Sequence, residues 1–299
     1  MNWLIISDNE SFADVLSKEI KQIEKSAKVH VSDFSEEKIK KTKKYFESLS
    51  LCIIYKSESF ELVNPAFVYT LSGFLIGMNV TILSNIEQLN SFNDVVKGGI
   101  KSVSSKNDII NYIKKQYDTI LSKEEKRASK KKLLERGIPF TPDCFAIYIA
   151  KDKPEIFKLF INAGIDINAR DDLGTPMLNI AVRNDNVEFA KKLIELGADI
   201  NAVSDDRGYT AVMDAVWRGN EELTALFIQK GADLNTISKE GQSNLVLAVG
   251  ADKVNICKLL AEAGADPDIK DQMGMSAYGY ATLFKKEKIV SILAPYHKS

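Results

Sequence analysis

The chain has 299 residues, 45% of them hydrophobic, and its 40 basic and 41 acidic side chains leave a net charge of −1. This length predicts two domains, each with its own core, and the balanced charge excludes a general electrostatic attraction to nucleic acid or to an anionic membrane. Three widely separated cysteines predict free thiols in a reducing, cytoplasmic compartment. The two histidines lie at opposite ends of the chain and no Cys-x-x-Cys or His-x-x-His pair occurs, so we predict no metal site and no cofactor.

Residues 1–121 alternate between apolar strands and helices. The predicted strands are Trp3–Ile6, Val29–Val31, Leu51–Tyr55, Val80–Leu83 and Ile100–Val103, and the predicted helices are Ser11–Glu24, Glu36–Glu47, Pro65–Ile76 and Asp108–Leu121. This order is typical of a parallel sheet with helices on both faces, most simply a flavodoxin-like α/β domain. The most apolar strands, Leu51–Tyr55 and Val80–Leu83, are expected at its centre.

One uncharged stretch, residues 62–86, is long enough to span a bilayer. It contains several polar side chains, and Gly77 separates a helix-like half from a β-rich half. We therefore predict a buried helix followed by a strand, and no membrane association.

The opening residues Leu-Ile-Ile-Ser-Asp-Asn-Glu-Ser-Phe-Ala resemble the start of a response-regulator receiver or of a TIR domain. A receiver requires a phosphoacceptor aspartate after its third strand, and this chain has Tyr55-Lys56 there. The segments Asn64-Pro65-Ala66, Ser72-Gly73-Phe74 and Gly77-Met78-Asn79-Val80 are similar to the third helix and following strand of TIR domains and nucleoside deoxyribosyltransferases.

That second resemblance implies binding of a nucleotide such as NAD, or cleavage of an N-glycosidic bond by a glutamate in the third helix. The corresponding position is near Leu71, and residues 62–86 contain no acid. We therefore assign no catalytic residue; Glu58 and Glu61 are the nearest carboxylates that could substitute. Ser7 and Asp8 follow the first strand, where they either face a ligand or form the N-cap and turn of the first helix, which is the interpretation we favour.

A charged segment, residues 122–137, follows this domain and carries seven basic and three acidic side chains. Helix formers predominate and Gly137 supplies a stop, so we predict a solvated connecting helix that packs Leu133 and Leu134 on the region that follows. A nucleic-acid or lipid patch is the alternative, but no aromatic residues are interleaved with the basic ones.

The second half of the chain repeats itself. Two glycine series recur every 33 or 34 residues, and an aspartate follows each member of the first series after one intervening residue: Gly164, Gly197, Gly231 and Gly264 in the first, and Gly174, Gly208, Gly241 and Gly274 in the second. Each repeat has too little apolar surface to fold alone, so neighbouring units must stack into one core. The first glycines are predicted to end helices, and the repeated Asp and Asn residues to form turns rather than acid–base pairs.

These words, among them Leu-Gly-Ala-Asp-Ile-Asn-Ala and Asp-Arg-Gly-Tyr-Thr-Ala-Val-Met-Asp-Ala, resemble ankyrin repeats over about residues 141–293. The resemblance implies an all-α solenoid of about five units, caps included, across residues 138–299. Ser243-Asn244 replaces the Thr-Pro of the family in the fourth unit, and the histidine of the family is absent.

In the ankyrin family, the turn tips and the ends of the first helices line a concave face that binds partner proteins. The residues that this resemblance selects, weighted by the prevalence of Trp, Tyr and Arg at interface hot spots, are Arg183, Arg207, Tyr209, Trp217, Arg218, Lys239, Gln242 and Met273. For Trp217 an alternative stays open, in which it covers the seam between two repeats.

The predicted function is therefore that of a cytoplasmic scaffold or adaptor that binds another protein through its ankyrin repeats, without nucleic acid, membrane or cofactor. The alternative is a nucleotide-binding or N-glycosidic-bond-cleaving enzyme or sensor in residues 1–121, with the repeats serving to target it.

Overall fold

The computed structural model describes residues 1–57, 61–62, 65–77, 80–86, 89 and 99–298. The chain divides into two compact units, Met1–Arg127 and Ala128–Ser299. This division falls within the segment 122–137 that separates the two predicted domains.

The first unit contains a five-stranded parallel sheet. Its strands are β1 (Asn2–Ser7), β2 (Lys28–Ser32), β3 (Leu49–Tyr55), β4 (Thr81–Ser84) and β5 (Ile100–Ser102), and its helices are α1 (Glu10–Ile23), α2 (Glu36–Thr42), a 3₁₀ turn (Lys43–Ser48), α3 (Pro65–Gly77) and α4 (Lys106–Glu135). The strand order is β2-β1-β3-β4-β5, with β3 in the middle and β4 between β3 and β5. The flavodoxin-like α/β prediction is confirmed by this order.

Alternation of side chains along the strands produces a separate core on each face of the sheet. On one face, aligned residues from four strands, Leu4, Cys52, Ile82 and Ile100, pack with α3. On the other face, side chains such as Trp3, Ile5, Leu51 and Ile53 pack with α1 and with the beginning of α4. Helices therefore cover both faces, which explains why β1 and β3 are almost uninterrupted apolar runs.

Helix α3 coincides with most of the uncharged stretch that could have spanned a membrane. Its Leu71 and Leu75 are buried against the sheet. Among the helices in the described ranges, none is both long enough and apolar enough to cross a bilayer.

Helix α4 extends over 30 residues, joining the predicted helix Asp108–Leu121 to the predicted connecting helix. No glycine or proline occurs between Lys106 and Glu135, so nothing in the sequence interrupts it. Leu133 is fully buried in the second unit, as expected, whereas Leu134 is exposed. The prediction for Leu134 was wrong because consecutive helical residues project about 100° apart.

The second unit continues with five helix pairs. They are α5 (Pro142–Ala150) with α6 (Pro154–Ala163), α7 (Met177–Arg183) with α8 (Val187–Glu195), α9 (Ala211–Arg218) with α10 (Glu221–Gln229), α11 (Asn244–Gly250) with α12 (Val254–Glu262), and α13 (Ala277–Leu283) with α14 (Glu287–Leu293), followed by a 3₁₀ turn (Ala294–Tyr296). Four first helices are N-capped by a hydroxyl that accepts from the amide three residues on: Thr141, Thr210, Ser243 and Ser276. Gly164 ends α6 with a left-handed φ of 79°, as predicted.

One continuous core connects the five pairs, from Leu133 and Phe145 to Leu293. Phe157 stacks on Phe189 of the next unit with ring centroids 4.2 Å apart, so each unit buries its apolar face on its neighbour. The repeated Asp and Asn residues hold the turns. Each asparagine also accepts a hydrogen bond from a backbone amide of the following unit: Asn168 from Asp199 at 2.8 Å, Asn201 from Asp233 at 2.9 Å and Asn235 from Asp266 at 2.8 Å.

Candidate protein-binding face

The eight residues selected from the sequence lie on the loops and first-helix ends of the second to fifth helix pairs. From here on, each helix pair with its preceding loop is also called a repeat unit. Arg183, Trp217 and Arg218 are at the ends of α7 and α9. Arg207 and Tyr209 lie on either side of Gly208 in the loop before α9. Lys239 and Gln242 lie in the loop before α11, and Met273 lies in the loop before α13. Seven of these residues form two groups, three that are engaged in contacts between helix pairs and four that are exposed; the eighth, Arg207, is partly exposed beside Tyr209.

Arg183 is engaged on all its nitrogens and bridges two units. Its Nε donates to Asp214 Oδ2 at 3.0 Å, and its two Nη groups donate to the Asp206 carboxylate at 2.8 and 3.0 Å. Nη2 also reaches Ser204 Oγ at 3.0 Å, and only 19% of the side chain is exposed. Arg183 therefore fixes the loop before α9 onto α7, and it lowers the pKa of Asp206 well below its usual value.

Asp214 is a buried acid of this region that the sequence-based selection missed. Its side chain is 2% exposed, it accepts from Asn179 Nδ2 at 2.9 Å as well as from Arg183, and Arg207 Nη2 lies 3.7 Å from Oδ1. Burial raises the pKa of Asp214, with Arg183 opposing that shift. The repeat itself carries a clue, because the other units place apolar or aromatic residues at this position: Ile180, Leu247 and Tyr280.

An additional residue in the loop Ser204–Gly208 makes this arrangement possible. In the units before and after, a side chain at the loop start accepts from the amide four residues on: Asp171 from Thr175 at 2.8 Å and Ser238 from Gln242 at 3.1 Å. Here Ser204 Oγ accepts from the amide of Tyr209, five residues on, at 3.2 Å. The wider loop accounts for the 34-residue spacing between Gly174 and Gly208 and brings Asp206 to Arg183.

Tyr209 and Gln242 form a contact between the third and fourth units. Tyr209 is only 6% exposed, its hydroxyl donates to Gln242 Oε1 at 3.2 Å, and its ring lies 4.9 Å from the Arg207 guanidinium. The Tyr209 ring is therefore mostly buried against other residues of the protein, and Arg207 is the more accessible of the two side chains.

Trp217, Arg218, Lys239 and Met273 form the exposed group. Trp217 is 52% exposed, and Met273 projects from its loop almost entirely into solvent. Arg218 donates to the carbonyl of Arg183, and Lys239 Nζ donates to the carbonyl of Asp205. Both cations therefore have defined positions while their charges stay available, which is how a prearranged binding surface is constructed.

In the compact unit Met1–Arg127, polar groups at the carboxyl edge of the sheet form hydrogen bonds with one another. Asp8 Oδ1 accepts from the Ser57 amide at 2.8 Å, and the Asn85 side chain makes two hydrogen bonds with the Lys56 backbone at 2.9 and 2.7 Å. The N-cap of α1 is Asn9, which accepts from the Phe12 amide at 2.9 Å. The expected cap at Ser7-Asp8 was therefore one position too early, since Asp8 is occupied by Ser57.

Of the two carboxylates proposed as substitutes for a catalytic glutamate, the structure describes only Glu61. Glu61 is exposed, and Glu58 lies outside the described residues, as do Ser59 and Asn64. Leu71, at the position of the expected glutamate, packs in the core. No group of three or more His, Cys, Asp or Glu side chains suited to a metal ion is found in the described part of the chain.

Comparison with known proteins agrees with the helical-pair architecture. The family "Ankyrin repeats (3 copies)" matches residues 144–238 and 212–299. A Treponema pallidum (strain Nichols) protein described as ankyrin repeat-containing is 32% identical over 235 residues, which cover 77% of each chain. That alignment is longer than the second unit, so the similarity also reaches into the first. With five stacked helix pairs, the inter-unit asparagine bonds and these matches, the chain belongs to the ankyrin-repeat family.

Proposed function

We propose that this protein is a cytoplasmic scaffold or adaptor whose ankyrin repeats bind another protein through the exposed group Trp217, Arg218, Lys239 and Met273. The observation that carries the proposal is Trp217, a large aromatic side chain that is 52% exposed at the end of a first helix. Trp and Arg are the residue types most enriched among interface hot spots, and Trp217 and Arg218 are adjacent.

The engaged group supports the same proposal in a different way. Arg183, Tyr209 and Gln242 hold the third-unit loop and its neighbours in place through contacts between units. A surface whose backbone is already fixed loses less conformational entropy when a partner binds. We infer that these residues position the exposed group instead of forming most of the contact themselves.

Affinity capture with the full chain tests this function. The wild type is compared with the double variant Trp217→Ala/Arg218→Ala, using lysate from the source cells. The matched control is Lys258→Ala/Glu262→Ala, which removes an exposed pair from α12, the second helix of its unit. We expect the first variant to lose a specific captured protein that the control retains, while the circular dichroism spectra of all three remain the same. Retention of every captured protein by the first variant contradicts the proposed surface.

A further inference from the structure

Gly250 is a glycine that neither the backbone nor its neighbours require. It is the last residue of α11, its backbone is helical, and it is exposed. A Cβ built at this position would meet no atom within 4 Å. Glycine weakens a helix compared with alanine, and close approach of another molecule to the backbone is one of the uses of glycine.

The repeat places Gly250 between two large apolar side chains. Trp217 precedes it by 33 residues and Leu283 follows it by 33, so all three occupy the same position in consecutive units. Helix α11 packs against α9 on one side and α13 on the other. Axes of packed helices are about 8–10 Å apart, so the side chains of α9 and α13 at this level are separated by room for a further side chain.

Exposed apolar groups line both sides of this gap. Trp217 stands at one side, and Leu283 and Phe284, exposed to 62% and 58%, stand at the other. In the helix pair between them, the small residues Gly250 and Ala251 occupy the corresponding positions. We call Trp217, Gly250, Ala251, Leu283 and Phe284 together the Gly250 slot.

The charges around the slot are mainly positive. Three cations lie at or just after the ends of the first helices of the third, fourth and fifth pairs, which is the level of Gly250: Arg218, Lys253 and Lys285. In the part of the chain that the structure describes, none of these three lies within ion-pair distance of a carboxylate. Asp252, the acid next to Ala251, is already paired with Lys286 at 2.9 Å. A partner that offsets this excess must carry acidic residues.

We propose that the Gly250 slot receives one apolar side chain from an acidic segment of the partner protein, with flanking Asp or Glu residues meeting Arg218 and Lys253. This inference deepens the proposed function and rests on it. It assigns the apolar anchor to the gap above Gly250 and the acidic residues to the cations around that gap.

The test uses a phage-displayed library of random linear peptides selected against the full chain. We expect enriched peptides to share a large apolar residue flanked by Asp or Glu. The affinity of these peptides should fall at least roughly tenfold for Gly250→Leu, which fills the slot. It should stay within about twofold for Ala150→Leu, the matched change at the same repeat position in the first helix pair. Gly250→Gln serves as a second filling variant, and thermal melts confirm that all variants are folded. Binding should also weaken as salt is raised.

The outcomes separate the slot from the wider function. Peptides that lose binding on Trp217→Ala but bind Gly250→Leu like the wild type overturn the slot and leave the proposed face intact. Enriched peptides without an apolar anchor, or with basic flanks, also overturn the slot. Peptides unaffected by either substitution, or no enrichment at all, contradict both the slot and the proposed face.

Discussion

Replacing Arg183 with methionine should destabilise the second unit because it leaves the carboxylate of Asp214 buried without its main cation. Asp214 is 2% exposed and lies 3.0 Å from Arg183 Nε. After the change, Asn179 Nδ2 at 2.9 Å and the more distant Arg207 at 3.7 Å remain. Breaking one side of a buried ion pair costs about 3–5 kcal/mol. Since Arg183 is partly exposed and Arg207 stays, we expect a loss of about 2–4 kcal/mol at neutral pH.

A compensating substitution identifies the cause. Leu247 occupies the position of Asp214 in the next unit, so Asp214→Leu places a side chain there that the repeat already accepts. The double variant Arg183→Met/Asp214→Leu removes both charges, and apolar replacement of a buried ion pair is often neutral. We expect it to regain all but about 1 kcal/mol and Asp214→Leu alone to be close to neutral, which together give a coupling energy of about 1–3 kcal/mol between the two sites.

Urea unfolding followed by circular dichroism measures the four proteins. The penalty of Arg183→Met should shrink as pH falls, because the pKa of Asp214 is raised by burial and protonation then removes the uncompensated charge. If Asp214→Leu alone costs as much as Arg183→Met, and the double variant costs their sum, the buried charge is not the source of the loss and this reasoning fails.

Three further predictions concern other parts of the molecule. Gly250→Ala should raise the free energy of unfolding by about 0.4–1 kcal/mol, since a Cβ there meets open space; a lower urea midpoint would contradict the helical interpretation of this glycine. Lys38, 2.7 Å from Asp33, and the Ser35 hydroxyl lower the pKa of Asp33 to about 2, so its contribution to stability is complete above about pH 4 and is lost as pH falls toward 2; Asp33→Asn should flatten that part of the stability curve, and an unchanged slope would exclude Asp33 as a contributor. Asp268 accepts from the Lys298 amide at 2.7 Å and lies 2.5 Å from His297 Nδ1, so Asp268→Ala should speed proteolytic removal of the last residues, whereas an unchanged cleavage rate would show that this contact does not hold the end of the chain.

The repeat architecture could be predicted because it depends on short sequence motifs that recur along the chain. Each of the two glycine series is visible four times in the sequence, and the Asp-x-Asn turn is visible three times. The sheet was predicted less directly, from the alternation of apolar strands and helices and from the two most apolar strands, Leu51–Tyr55 and Val80–Leu83, which were expected at its centre; β3 is the central strand and β4 lies beside it. Gly137 marked the end of α4, but no residue marks the boundary between the two units within that helix, because a continuous run of helix formers spans it.

The candidate face was predicted less completely, for reasons that lie in contacts between units. Tyr209 was selected because tyrosine is common at interfaces, but its burial depends on Gln242 in the next unit. Asp214 was not selected because the selection took only the turn tips and the ends of the first helices, and Asp214 lies within α9. Only comparison with Ile180 and Leu247 shows that its position faces inward. The residue added to the loop Ser204–Gly208 is visible as a 34-residue spacing, but its consequence for Asp206 and Arg183 depends on the backbone path.

Site-specific photo-crosslinking tests the central claim most directly. A photoreactive benzoylphenylalanine is introduced at Trp217 in the full chain, and at Lys258 on α12 as the control, and the source-cell lysate is irradiated with each. The account predicts a discrete crosslinked protein from position 217 that is absent from position 258 and is reduced when Arg218 is also replaced by alanine. Crosslinks of equal yield and pattern from both positions, or from position 258 alone, would contradict a partner-binding face centred on Trp217.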